Sequence, residues 1–158
     1  MSTYHRPRRP GATVFFTLAL DQRGSRLLLE EIERLRWAVA LTLRDRPVRI
    51  DAMVVLPDHL HALWTLPDGD SDYATRWRLI KSRFSRGLPK GAMRDSHRRR
   101  QERGLWQRRF WEHHIRSDAD FQARRAFCWT APVVLGLAER PEDWPFSSIH
   151  RDRASRAA

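Results

Sequence analysis

The sequence predicts an α+β fold: a four-stranded antiparallel sheet in the βαββαβ order of ferredoxin-like and RRM-like domains, with an additional C-terminal helix. Three observations predict it. Ile50 to Thr65, IDAMVVLPDHLHALWT, is two apolar runs around a Pro-Asp turn, which is a tight antiparallel hairpin. Two apolar stripes at spacings of three and four, Leu28-Ile32-Leu35-Val39-Leu43 and Trp77-Ile80-Phe84-Leu88, place one helix before that hairpin and one after it. Two stretches rich in β-branched and aromatic residues, Ala12–Leu20 and Leu105–Ser117, supply the remaining strands.

In chain order, residues 1–11 form a basic arm with Arg6, Arg8 and Arg9, and Pro7 and Pro10 bar a helix there. The single domain spans residues 12–150. Its first strand is Ala12–Leu20 and Asp21 to Gly24 is a turn. Ser25 caps a helix to about Arg44, which Pro47 closes off. Val48–Leu56 and His59–Leu66 are the hairpin strands. PDGDSD, residues 67–72, is a loop and N-cap for a helix to about Leu88, basic on its outer side through Arg78, Arg83 and Arg86. Pro89–Gly104 has no apolar period and carries Arg94, Arg98, Arg99, Arg100 and Arg103, the pattern of a solvated loop or one ordered by a polyanion. Asp118 and Asp120 open a third helix that should stop at Ala131, before Pro132. Trp144 and Phe146 pack near the end, and residues 151–158 are expected to fray.

Composition narrows the function classes. The 158 residues carry a formal charge of +11, and all but Lys81 and Lys90 of the 30 basic residues are arginines. Such a balance points to a polyanionic partner, nucleic acid first and a membrane surface second. Guanidinium groups match phosphate bidentately. The one cysteine, Cys128, excludes an internal disulfide and a cysteine-built zinc site. No apolar run reaches the roughly 18 residues of a membrane span, and no signal-peptide pattern is present, so a cytoplasmic, nucleoid-associated location is expected.

His59 and His61 are two apart on a strand, so both imidazoles project from one face while Leu60 points the other way. That is half of a divalent-metal site. By itself a His-x-His pair is a weak signal, and the surrounding blocks give it its frame. VVLPDHLHALW, LPDGDSDYATRWRLIKSRF, LWQRRFWEHHIRSDADF and PVVLGLAERPEDWPFSSIHR follow one another in order. In sequence and spacing, from about Tyr4 to Arg151, they resemble the REP-associated tyrosine transposases, a branch of the single-tyrosine HUH transposases.

The resemblance implies an HUH-endonuclease type of fold and a partner that is single-stranded DNA carrying hairpin repeats, with no small-molecule substrate and a monomer or weak dimer as the assembly. It implies cleavage and rejoining of one DNA strand. Two histidines, here His59 and His61, hold Mg or Mn, which neutralises charge on the scissile phosphate. A helix tyrosine attacks the phosphorus and keeps a 5′-phosphotyrosine link. An amide one turn later completes the metal site. The DNA-binding positions it implies are Arg76, Arg78, Lys81 and Arg83 on the second helix, and Trp106, Gln107 and Arg109 in the block before the fourth strand, joined by the arm's Arg6, Arg8 and Arg9. Arginines among aromatics suit stacking and phosphate contact.

The chain departs from the family on the third helix. Where the family reads roughly Asp-Tyr-Ile-x-x-Asn-Pro-Val, this chain reads Ala126-Phe127-Cys128-Trp129-Thr130-Ala131-Pro132-Val133. Phe127 occupies the nucleophile position and Ala131 the third-ligand position. Phenylalanine cannot form a phosphotyrosine, and alanine cannot ligate a metal. The expectation is therefore a DNA-binding member with cleavage impaired or lost and metal binding weak or absent, Asp58, Glu112 or water being the available substitutes for the missing ligand. The alternatives are an active transposase or nuclease with an unorthodox nucleophile such as Tyr73 or Tyr4, an RRM-like binder of structured RNA, and a decayed member without function.

Overall fold

In the computed structural model, which describes residues 9–86, 88 and 105–157, the sheet has the order β2-β3-β1-β4. Its strands are β1 (Thr13–Ala19), β2 (Arg49–Val55), β3 (His59–Thr65) and β4 (Trp111–His114), and every pairing is antiparallel. β1 is central because its TVFFTLA run buries residues on both faces. The Pro57-Asp58 turn closes on a bond from Leu56 N–H to His59 C=O, 2.8 Å, and fixes the hairpin register.

The two faces carry separate cores. Val14, Phe16, Leu18, Leu60 and Trp64 face α2 (Ile32–Asp45) and α3 (Tyr73–Arg86). There Trp64 and Trp77 stack at 3.9 Å with planes 9° apart. Such a pair adds about 0.5–1.5 kcal/mol beyond the area it buries. On the opposite face Phe15, Ala52, Val54 and Leu63 meet Cys128 and Ala131 of α4 (Asp118–Val134). The sheet is thus sandwiched, and α4 lies over the face that carries the histidines.

Four expectations are corrected. The first predicted helix is two, α1 (Leu27–Glu30) and α2, with the break at Glu31 (φ −112°, ψ 34°). The fourth strand is four residues long, with Trp106 joined to Leu20 only by an isolated bridge. α4 does not stop before Pro132 but runs through it to Val134. Proline there removes one donor, and packing of Cys128 and Ala131 holds the helix past it. Gly136 ends it at φ +73°, with Leu137 N–H bonded to Pro132 C=O at 2.8 Å. Finally, the tail expected to fray forms α5 (Ile149–Ala157). Ser148 ties it to the edge of β2, donating N–H to Met53 C=O and accepting Met53 N–H at Oγ, while Arg151 Nη2 donates to Ile50 C=O at 2.6 Å.

Candidate active site

The histidines stand at the start of β3, on the face that α4 covers, with Phe127 of α4 against His61. Their register sets their neighbours: His59 is opposite Ala19 and His61 opposite Thr17 on β1, and Thr17 is opposite Trp111 on β4. His61, Thr17 and Trp111 therefore form one row across three strands. Leu60 is fully buried among the helices of the other face, as strand alternation requires.

Each imidazole is oriented through Nδ1. His59 Nδ1 lies 2.7 Å from Asp58 Oδ1, and Asp58 Oδ2 accepts the Gly24 N–H at 2.9 Å. Burial alone would raise the Asp58 carboxyl, but the bonds from His59 and Gly24 outweigh it and hold the pKa below the usual value. An ionised carboxylate accepts a hydrogen bond from His59 Nδ1–H, which leaves the Nε2 lone pair for a ligand. His61 Nδ1 lies 2.7 Å from Thr17 Oγ1, whose hydroxyl can accept in the same way. His61 is 6% exposed and stacks on Phe15 at 5.6 Å. Burial, reinforced by His59, pushes its pKa down from 6.5 to about 3, so it is neutral at pH 7.

That depression predicts an acid-labile fold. The folded pKa lies below the unfolded one, so the unfolded chain takes up the proton first. The stabilisation is complete above about pH 6.5 and falls by about 1.4 kcal/mol per pH unit below it, levelling off near pH 3. Going from pH 7 to pH 5 should cost on the order of 2 kcal/mol through His61 alone. His61→Gln should flatten the plot of urea midpoint against pH over that window. An undiminished slope in the variant would move the effect to other groups. His114, whose pKa burial also lowers, leaves a residual slope in the same window, while the carboxylates Asp58, Asp70, Asp72 and Asp120, also lowered, act only below about pH 5.

Phe127 and Ala131, one turn apart on α4, both line the cleft of about 370 Å³ that holds His59 and His61. The Phe127 ring stands edge-on to His61 with centroids 5.0 Å apart, and it is 47% exposed. Gln107 and Arg109 also line this cleft. Of the other positions expected to bind DNA, Arg9 and Arg78 are exposed, Lys81 Nζ lies 5.9 Å from the Phe110 ring centre, and Arg83 Nη1 donates to Thr42 Oγ1 at 2.7 Å. Arg6, Arg8 and Tyr4 lie outside the described residues, as does the run Arg94–Arg103.

Several expectations fail on geometry. Arg76 is 2% exposed, and all five of its N–H groups are taken, by both carboxylate oxygens of Asp70 and by the carbonyls of Arg46, Pro47 and Asp72. It ties α3 to the loop before β2 and has no donor left for a phosphate. Trp106 is buried against Phe84, so it cannot stack on a base. Tyr73 is buried between Phe16 and Phe110 on the opposite face of the sheet from the histidines, which removes it as a replacement nucleophile. Cys128 is no substitute, since burial in the second core pushes its thiol up to about 12. Thr130 lines the cleft, with its hydroxyl donating to Ala126 C=O at 2.8 Å.

His59 and His61 are the imidazole donors that would hold a divalent cation in this cleft. Among the described residues, no three His, Cys, Asp or Glu side chains come together as a metal cluster. Both Asp58 oxygens are committed. Glu112 pairs with Phe16 in the register, so strand alternation sends it to the helical face opposite the histidines. Ala131 offers a methyl group. Two imidazoles alone are a poor match for Mg, which takes oxygen ligands in a strict octahedron.

Three cleft-side groups went unnoticed in the sequence. Arg23, from the turn after β1, lines the cleft, and so does Trp111. Arg124 of α4 places its guanidinium 5.4 Å from the ring centres of both Phe15 and Trp111. A turn position and a helix arginine carry no periodic signal. Trp111 could have been found by counting strand phase from His113.

No family model matches the chain. A REP-associated tyrosine transposase of Escherichia coli (strain K12) is 42% identical to it over 98% of this chain and 86% of its own length. The chain belongs to the REP-associated tyrosine transposase family. A Haemophilus influenzae protein provisionally assigned to the same family is 40% identical over 96% of this chain and 88% of its own. A solved structure of a REP-associated tyrosine transposase bound to a REP hairpin superposes with a TM-score of 0.84 at 42% identity, over 98% of this chain and 86% of that one. For this transposase-family chain the βαββαβ sheet with its added helix is therefore the family fold. Among its described residues no helix is long and apolar enough to cross a membrane.

Proposed function

We propose that this chain binds single-stranded DNA folded into repeat hairpins and does not form the 5′-phosphotyrosine link. The observation that carries the reading is Phe127, whose ring stands 5.0 Å from His61 in the cleft where the family register calls for the nucleophile. A phenyl ring has no oxygen to attack phosphorus. The neighbouring Ala131 leaves the histidine pair without a third ligand, so a bound Mg or Mn would be weakly held. Hairpin binding is supported by the hairpin-bound relative. It is further supported by the charge of +11 and by the exposed cations Arg78 and Arg109.

The test is one titration read two ways. A labelled single strand that folds into a repeat-type hairpin is incubated with the protein and Mn²⁺. Fluorescence anisotropy should show binding whose log affinity falls linearly with log salt. A denaturing gel of the same samples should show no covalent protein–DNA band. A band that survives denaturation would overturn the non-cleaving reading. Equal or tighter binding of the matching RNA hairpin would replace DNA with RNA as the partner.

A further inference from the structure

We propose that Trp111 is a stacking platform for one unpaired nucleobase of the strand entering the histidine cleft, an inference that rests on the DNA-binding reading above. Trp111 is a large aromatic side chain on a four-residue edge strand, and it is 50% exposed. Its position is fixed from several sides. Phe15 meets it edge-on at 5.7 Å, and His113 lies parallel to it at 6.0 Å with planes 7° apart. Asp120 Oδ2 holds His113 Nε2 at 2.8 Å, and Asp120 Oδ1 lies 3.7 Å from Arg124 Nε. The Arg124 guanidinium in turn lies over the Trp111 ring. A ring held in this way loses little freedom when a base stacks on it.

The surroundings point to a base rather than to another ligand. Trp111 shares a sheet row with His61, two strand spacings or about 10 Å away. Exposed Phe127 and Val134 of α4, with Leu135 just after it, line the same cleft as a second apolar wall. Arg23 and Arg109 line the same cleft. Two apolar walls with arginines alongside match a flat apolar heterocycle carried on a phosphodiester. An apolar mouth of this kind on a chain of charge +11 fits a nucleic acid better than an uncharged protein partner.

The experiment compares a blunt repeat-type DNA hairpin with the same hairpin carrying a short unpaired flank, each measured by anisotropy with wild type, Trp111→Ala and Trp111→Phe. Trp111→Ala should bind the flanked hairpin about tenfold more weakly. It should bind the blunt hairpin as wild type does, and Trp111→Phe should lie between wild type and the alanine variant. A single abasic site moved along the flank should reproduce the loss in wild type at one position, and should cost the alanine variant nothing further there. Equal binding of the flanked hairpin by wild type and Trp111→Ala overturns the proposal, and so does a parallel loss on both hairpins. Failure of wild type to bind either hairpin overturns the DNA reading first and this inference with it. Concentration-dependent self-association that Trp111→Ala abolishes would reassign the surface to a second copy of the chain.

Discussion

A Phe127→Tyr, Ala131→Asn double variant is expected to form a covalent adduct with single-stranded hairpin DNA in Mn²⁺, where the unaltered chain forms none. The first substitution adds one oxygen at the tip of a ring that already stands edge-on to His61, 5.0 Å away, and is 47% exposed to the cleft. The second places an amide one helical turn on, beside the same histidines, where the third donor is missing. Both imidazoles are already set for such a partner, with Nδ1 anchored by Asp58 and Thr17 and Nε2 left over. Phe127→Tyr alone should give at least about tenfold less adduct than the pair, since even outer-shell partners of a metal ligand are worth about 10–100-fold in affinity. The readout is a protein–DNA band on a denaturing gel, with circular dichroism and hairpin affinity as controls. A folded, hairpin-binding double variant without adduct would show that the losses extend beyond this helix face.

The parts of this site legible in the sequence are those governed by short-range geometry. Alternation along β3 put His59 and His61 on one face and Leu60 on the other, because period two holds wherever a strand exists. The Pro57-Asp58 turn made the hairpin local. That Phe127 and Ala131 share a helix face followed from their spacing of four. That this face meets His61 followed only from the family register, since the two segments are far apart in the chain. The failures are tertiary. Arg76 read as one more surface arginine on a basic helix, yet its acceptors include the Arg46 and Pro47 carbonyls, 30 and 29 residues back in the chain across the β2–β3 hairpin. Trp106 and Trp111 belong to one aromatic block, and only the pairing of β4 with β1 decides that the first is buried and the second open. α5 has no apolar stripe to announce it. It is held by Ser148 and Arg151 bonding to the edge of β2, contacts about a hundred residues apart in the chain.

Arg76→Met should cost stability rather than DNA affinity, on the order of 3 kcal/mol. The guanidinium is almost fully buried and saturated, so removing it strands five acceptor sites at once: two on Asp70 and one each on Arg46, Pro47 and Asp72. Removing one partner of a buried pair costs about 3–5 kcal/mol, and the lower figure applies because Asp70, at 32% side-chain exposure, regains water. The urea midpoint should fall by about 1–2 M. Arg76→Lys should recover only part of the loss, since an ammonium has three donors and cannot reproduce the planar fork. The loss should also depend on pH. The hydrogen bond from Arg76 is the chief cause of the lowered Asp70 pKa. A depressed carboxylate stabilises the fold above its unfolded pKa, and the contribution fades as pH falls through the folded value, so the gap between wild type and Arg76→Met should narrow below about pH 4 without closing, the three stranded carbonyls being independent of pH. A variant with an unchanged urea midpoint and a weakened hairpin complex would return Arg76 to the DNA interface. The fully occupied guanidinium predicts the reverse: a less stable protein whose folded fraction binds the hairpin as before.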